Sequence, residues 1–381
     1  MILNSQFLND ANNNNNEKLD LSNKKLTIIE SSSFNDNRWN NLSELNLSRN
    51  FISYISQDTF KNLKSLEKLN LSKNLIEQIN DPNVFENNSN LVEISLCYNN
   101  LININDTIFN YSVNLRSLNL SFNRIKKIPS LNKLKNLQQL NLAENQLDYL
   151  DSNSFKGLIN VKLIDLSGNQ ITSINDENIF TDLVNLNRLD LSSNKLKDLN
   201  ENSFKSLINL SELDLSSNQI CNLQVNIFKY NTNLISLWLS SNSLSMLDQD
   251  LFVNLKNLES IFISMNELEN IDAFKFLTNL KKLDLSYNKL VAIKQDSLNG
   301  LTKLTNLDLS FNKIKQFDEN SLGCLANLNN LNLSSNQIDY FGKNTFHGLS
   351  QLDFLDISNN KISDNDFKEK YGLKNCNVLI I

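Results

Sequence analysis

Leu210-Ser211-Glu212-Leu213-Asp214-Leu215-Ser216-Ser217-Asn218-Gln219-Ile220 sets apolar against polar residues in a frame, L-x-x-L-x-L-x-x-N-x-L, that returns along the whole chain. Its Leu213-Asp214-Leu215 alternation has period two, which predicts a short strand with one buried and one wet face. So short a strand cannot bury its leucines alone. It must pair in parallel with its counterparts in the units before and after, building the core one layer at a time. The frame's asparagine recurs as Asn50, Asn74, Asn99, Asn123, Asn145, Asn169, Asn194, Asn218, Asn242, Asn266, Asn288, Asn312, Asn336 and Asn360, at intervals of 22, 24 or 25 residues. A side-chain amide both donates and accepts, so in register these residues form a ladder that bonds the backbone where each strand ends. Loss of one mid-stack member, as in Asn218→Ala, is expected to cost roughly 1–3 kcal/mol.

A second periodic position closes each unit. Phe falls ten residues after the asparagine at Phe60, Phe109, Phe155, Phe204, Phe228, Phe252 and Phe346, and eleven after it at Phe85 and Phe180. Leu298 and Leu322 substitute once each, and the next unit's first apolar residue always follows six positions later. Stacked in register, these side chains predict a hydrophobic spine behind the sheet. The two 22-residue units, Asn123 to Asn145 and Asn266 to Asn288, lack this frame, so shorter backs and altered local curvature are expected there.

The 24-residue unit with its L-D-L-S-x-N strand and following Phe resembles the leucine-rich repeats of Toll-like receptors, chaoptin and the small leucine-rich proteoglycans. The resemblance runs from residue 19 to about residue 362. It implies an α/β leucine-rich-repeat solenoid: a curved horseshoe with a parallel sheet of about fifteen short strands on the concave face, and short helical or irregular segments on the convex face. It also implies a non-enzymatic protein-interaction module, receptor- or adhesion-like, binding a protein partner on the concave face. A cytoplasmic scaffold or regulatory subunit using the same face is the second reading.

Composition narrows the chemistry. Net charge is −6 and no Lys/Arg stripe with interleaved aromatics occurs, so nucleic acid is not an expected partner. The one histidine, His347, excludes a His-x-x-x-His zinc pair, and the seven glycines form no phosphate-binding or nucleophile motif. No catalytic residue, metal or cofactor is therefore expected. Cys97, Cys221, Cys324 and Cys376 lie at least two units apart, about 10 Å or more at a strand spacing of ~4.8 Å. That exceeds the ~7 Å Cα limit for a disulfide, so free, partly buried thiols are expected. The repeat class leans extracellular. Yet no apolar run suits a signal peptide or a membrane span, which favours the cytoplasm if Met1 is the true start.

Residues 1–18, including Asn12 to Asn16, read as a disordered lead, and 19–381 as a single repeat domain whose last unit is incomplete. An open apolar C-terminal edge would favour self-association.

On the wet face the residue between the last two leucines is usually Asn or Asp, and the next outward one is Ser in twelve of fourteen units. Trp238 and Phe262 break that uniformity in consecutive units, between Asp214 and Asp284. Ile235, Met265, Tyr287 and Phe311 occupy flanking positions. Large aromatics side by side on an exposed face read as an interface anchor. The alternative is a purely structural cross-strand stack.

Overall fold

The computed structural model describes residues 1–10, 17–342, 344–362, 367–371, 373 and 376–379, which fall into two compact units, 1–190 and 191–381. Each unit is a stack of parallel three-residue strands. The first holds eight among the described residues: Lys18–Asp20, Glu44–Asn46, Lys68–Asn70, Glu93–Ser95, Ser117–Asn119, Gln139–Asn141, Leu163–Asp165 and Arg188–Asp190. The second holds eight more: Glu212–Asp214, Ser236–Trp238, Ser260–Phe262, Lys282–Asp284, Asn306–Asp308, Asn330–Asn332, Phe354–Asp356 and Asn377–Leu379. Equivalent frame positions pair, as in Leu213↔Leu237 and Leu237↔Ile261, so within each unit the middle residues whose burial is described face one core. The leucines one position beyond the strands, among them Leu47, Leu191, Leu239 and Leu309, are fully buried. Returning segments are chains of tight turns, as where Leu207 N donates to Phe204 O at 3.1 Å, rather than regular helices.

The asparagines do more than terminate strands. Asn218 Nδ2 donates to Leu215 O and Ser216 O in its own turn and to Leu191 O in the turn before, all at 2.9–3.1 Å. Its Oδ1 accepts from Leu196 N, again in the preceding turn. One amide thus joins two layers, and the pattern repeats within each unit, as at Asn50 and Asn360. In Asn218→Ala only Leu196 N would lose its partner outright, because Leu191 O, Leu215 O and Ser216 O keep bonds from Asn194 Nδ2, Asn242 Nδ2 and Ser193 N, which places the cost in the middle of that range, about 2 kcal/mol. Asn377→Ala, at an exposed strand residue, should cost under about 0.5 kcal/mol in the same urea titration. Equal midpoint shifts would contradict the ladder. A second set of amides, one residue before each unit's first apolar position, also links layers from the surface: Asn233 Nδ2 reaches Ile208 O and Asn257 reaches Thr232 O.

The phenylalanine spine stacks ring on ring. Phe60, Phe85 and Phe109 lie 6.2 and 6.3 Å apart in the first unit, and Phe204, Phe228 and Phe252 lie 6.4 and 6.2 Å apart in the second. The short turns differ from one another. Between Asn266 and Asn288 a 3-10 helix, Asp272–Phe276, delivers Phe274 onto Phe252 at 5.6 Å, filling the spine position the spacing had left empty. Between Asn123 and Asn145 no aromatic does so, and a cavity of about 270 Å³ opens beside Lys127, Asn132 and Tyr149.

Residues 1–10 carry structure that their polar composition did not suggest. Ile2–Leu3 pairs in parallel with Ile28–Ile29, and the helix Ser5–Asp10 follows. Leu3 and Leu8 are buried, so two leucines suffice to dock the segment; residues 11–16 of the expected lead lie outside the described residues. Toward the other end Phe346 meets Phe367 and Tyr371 edge to face, and Tyr371 Oη donates to Phe341 O at 2.8 Å. All four cysteines are free, but Cys221 is exposed rather than partly buried, because its turn position points away from the core. Burial pushes the Cys324 and Cys376 thiols up.

Candidate functional site

The Asp and Ser of the strand frame turn out to be structural. Asp284 Oδ1 accepts from Ser286 N at 3.0 Å and Ser286 Oγ at 2.7 Å, and Asp165 and Asp308 hold their serines in the same way. Asn46, Asn70, Asn119 and Asn332 close the same turn, so an amide serves as well as a carboxylate. The motif closes the turn that leads into the left-handed residue before the ladder asparagine, a conformation the chain also adopts at Ser241 and Met265, where the motif is absent. Tyr287 and Phe311 sit there at φ 54°, as does Met265.

Trp238 and Phe262 replace that turn-closing side chain twice in succession. Ser240 and Ser264, left without it, bond each other Oγ to Oγ at 2.9 Å, and Ser264 N donates to Ser240 Oγ. The two rings are half-buried, paired in register, and stacked at 5.8 Å with 10° between planes. Asp214 and Asp284 are their register neighbours on either side. Ile235 is exposed at the entrance to Trp238's strand. Met265, Tyr287 and Phe311 form a separate row along the edge where strands leave the sheet, 44–53% exposed; Tyr287 and Phe311 stack at 4.1 Å. Seven of the eight nominated residues therefore divide into a row on the sheet and a row on its rim, with Ile235 at the opposite, entrance edge.

Sequence reasoning missed Phe354, which is half-buried at the first position of its strand. With Phe262 it bounds a groove of about 480 Å³ whose floor includes Lys282, Asp284, Asn306, Asp308 and Asn332. Its signal was a lone aromatic where the other strands carry polar residues or Leu163. Tyr98 and Phe122 were also missed; they repeat the rim stack in the first unit at 4.1 Å.

Charge differs between the strands of the two units. The outward strand positions of the second unit carry Glu212, Asp214, Asp284, Asp308 and Asp356 against Lys282 alone. In the first unit Asp20, Glu44, Glu93, Asp165 and Asp190 face Lys18, Lys68 and Arg188. There Lys18 and Lys68 bracket Glu44 at 2.9 and 3.4 Å, and the Lys18 hydrogen bond holds the Glu44 carboxyl below its ordinary range. Among the described residues no three His, Cys, Asp or Glu side chains converge as metal ligands. No helix among them is long and apolar enough to cross a membrane.

The leucine-rich repeat model matches overlapping segments that run from 14 to 94 and from 170 to 362, and a two-copy leucine-rich repeat model matches 113–157. No curated protein sequence matches significantly. Among solved structures, a Leptospira interrogans leucine-rich repeat protein is 24% identical with a TM-score of 0.81, over 95% of each chain, a likeness of fold. TLR13, solved in complex with ssRNA13, is 25% identical over 94% of this chain with a TM-score of 0.76. The plant peptide hormone receptor RGFR1, solved in complex with RGF2, is 25% identical over 93% of it with a TM-score of 0.67. The present chain spans 57% of the former and 66% of the latter. Layered strands, asparagine ladder and phenylalanine spine coincide with these matches, and the chain belongs to the leucine-rich repeat family, whose fold is in general a non-enzymatic interaction scaffold.

Proposed function

We propose that this protein binds a protein partner on the exposed sheet face of its second unit, with the Trp238–Phe262 stack as anchor and the Met265–Tyr287–Phe311 rim beside it. The carrying observation is local: two consecutive turns give up the Asp/Asn bond that closes most others, a loss of roughly 0.5–1.5 kcal/mol each, and half-exposed aromatics stand in its place. The stack and the Ser240–Ser264 bonds offset that loss, but they leave aromatic surface exposed that the Asp/Asn turn does not. A receptor- or adhesion-like role follows the neighbours that bind peptide or protein ligands. The single-stranded RNA partner of TLR13 fits less well, since five carboxylates against one lysine repel a phosphate backbone.

Trp238→Ala combined with Phe262→Ala should weaken association with a captured partner by about 2 kcal/mol or more. The same variant should lose no more than ~1.5 kcal/mol of unfolding free energy, the scale of one aromatic pair. Full partner recovery by the double variant, alongside a large drop in stability, would show the stack to be structural.

A further inference from the structure

We infer that the groove between Phe262 and Phe354 takes an extended, basic segment of a partner chain, its Lys or Arg side chains on Asp284 and Asp308 and an apolar side chain against Phe262. This rests on the sheet-face reading and names the chemistry of its ligand. Phe262, Asp284 and Asp308 are successive register partners, one strand apart, so apolar and anionic surface adjoin in a single row. From the strand of Phe262 to that of Phe354 is four strand steps, roughly 19 Å, the length of about six extended residues. Asp284 commits only Oδ1 to its turn, leaving Oδ2 for a ligand. Asp308 Oδ2 accepts from Asn332 Nδ2 at 3.0 Å, which fixes its carboxylate within the groove. A fork of guanidinium donors or an ammonium complements two adjacent carboxylates, whereas an acidic or phosphorylated segment would meet repulsion.

The test pans a phage library of random twelve-residue peptides on the full chain and measures selected synthetic peptides by fluorescence anisotropy. Lys or Arg next to an aromatic or aliphatic residue should be enriched. Such peptides should lose at least tenfold in affinity for the D284N/D308N double variant. Asparagine closes this turn in Asn46, Asn70, Asn119 and Asn332, so that variant keeps the fold, which an unchanged urea midpoint verifies. E44Q, on a strand of the first unit, should leave affinity unchanged. Basic peptides that bind D284N/D308N as tightly as the native chain overturn the inference, as does enrichment of acidic sequences. If those peptides still depend on Trp238 and Phe262, the sheet-face reading stands and only the basic ligand fails; if they depend on neither, both fail. Light scattering that shows a dimer dissolved by D284N/D308N would make a second copy the occupant and overturn the inference.

Discussion

Phe228→Ala is expected to lower the stability of the second unit by about 3–5 kcal/mol. The ring is fully buried, with Phe204 6.4 Å away on one side and Phe252 6.2 Å away on the other. Truncation removes the transfer free energy of a whole aromatic ring and leaves a cavity between two rings that are held by their own turns. Those turns are tied to their neighbours by the asparagine ladder and cannot simply close up. Leu298 and Leu322 occupy the same position natively, fully buried, so Phe228→Leu should cost no more than about 1.5 kcal/mol. Urea unfolding of both variants gives the comparison. A Phe228→Ala midpoint equal to that of Phe228→Leu would mean that the spine carries little of the stability.

Gly300→Ala should be as damaging, by about 3 kcal/mol or more, although it adds one methyl group. A Cβ at Gly300 would run into Lys275 O, a backbone atom that cannot rotate aside. Lys275 belongs to the 22-residue turn, whose shortened return segment presses against the next layer. Gly157 follows the other short turn at the equivalent place, two residues past its spine position; a Cβ there would stand 2.7 Å from Asn132 O, at φ +82°. Two omitted residues thus call for a glycine one layer later. Gly342→Ala, where the nearest atom is 3.5 Å away, is the control and should cost under about 1 kcal/mol. Thermal unfolding that shifts Gly300→Ala no more than Gly342→Ala would remove the close approach from the explanation.

What could be read from the sequence is what repeats. The asparagine interval marks the layers and the phenylalanine interval marks the spine, because each residue must meet its own copy one layer away. The left-handed position before the asparagine escaped notice because residues as unlike as Arg49, Phe122 and Ser193 hold it; only its geometry is constant. The turn-closing role of the strand Asp and Ser is not legible in the sequence because their bond is local to one turn and leaves no long-range signature. Asp165 is accordingly a turn-closing residue first and a surface charge second. Trp238 and Phe262 were legible as exceptions to a rule. Phe354 was not, since a single departure has no partner in the sequence, and only the sheet register sets it across a groove from Phe262.

The most direct measurement of the central claim is hydroxyl-radical labelling of the full chain with and without its bound partner, read residue by residue by mass spectrometry. Trp238, Phe262, Met265 and Tyr287 should be protected on binding. Tyr54, Tyr149 and Tyr340, exposed away from the sheet, should label equally in both states. Protection of those tyrosines with Trp238 and Phe262 still labelled would contradict the sheet-face interface.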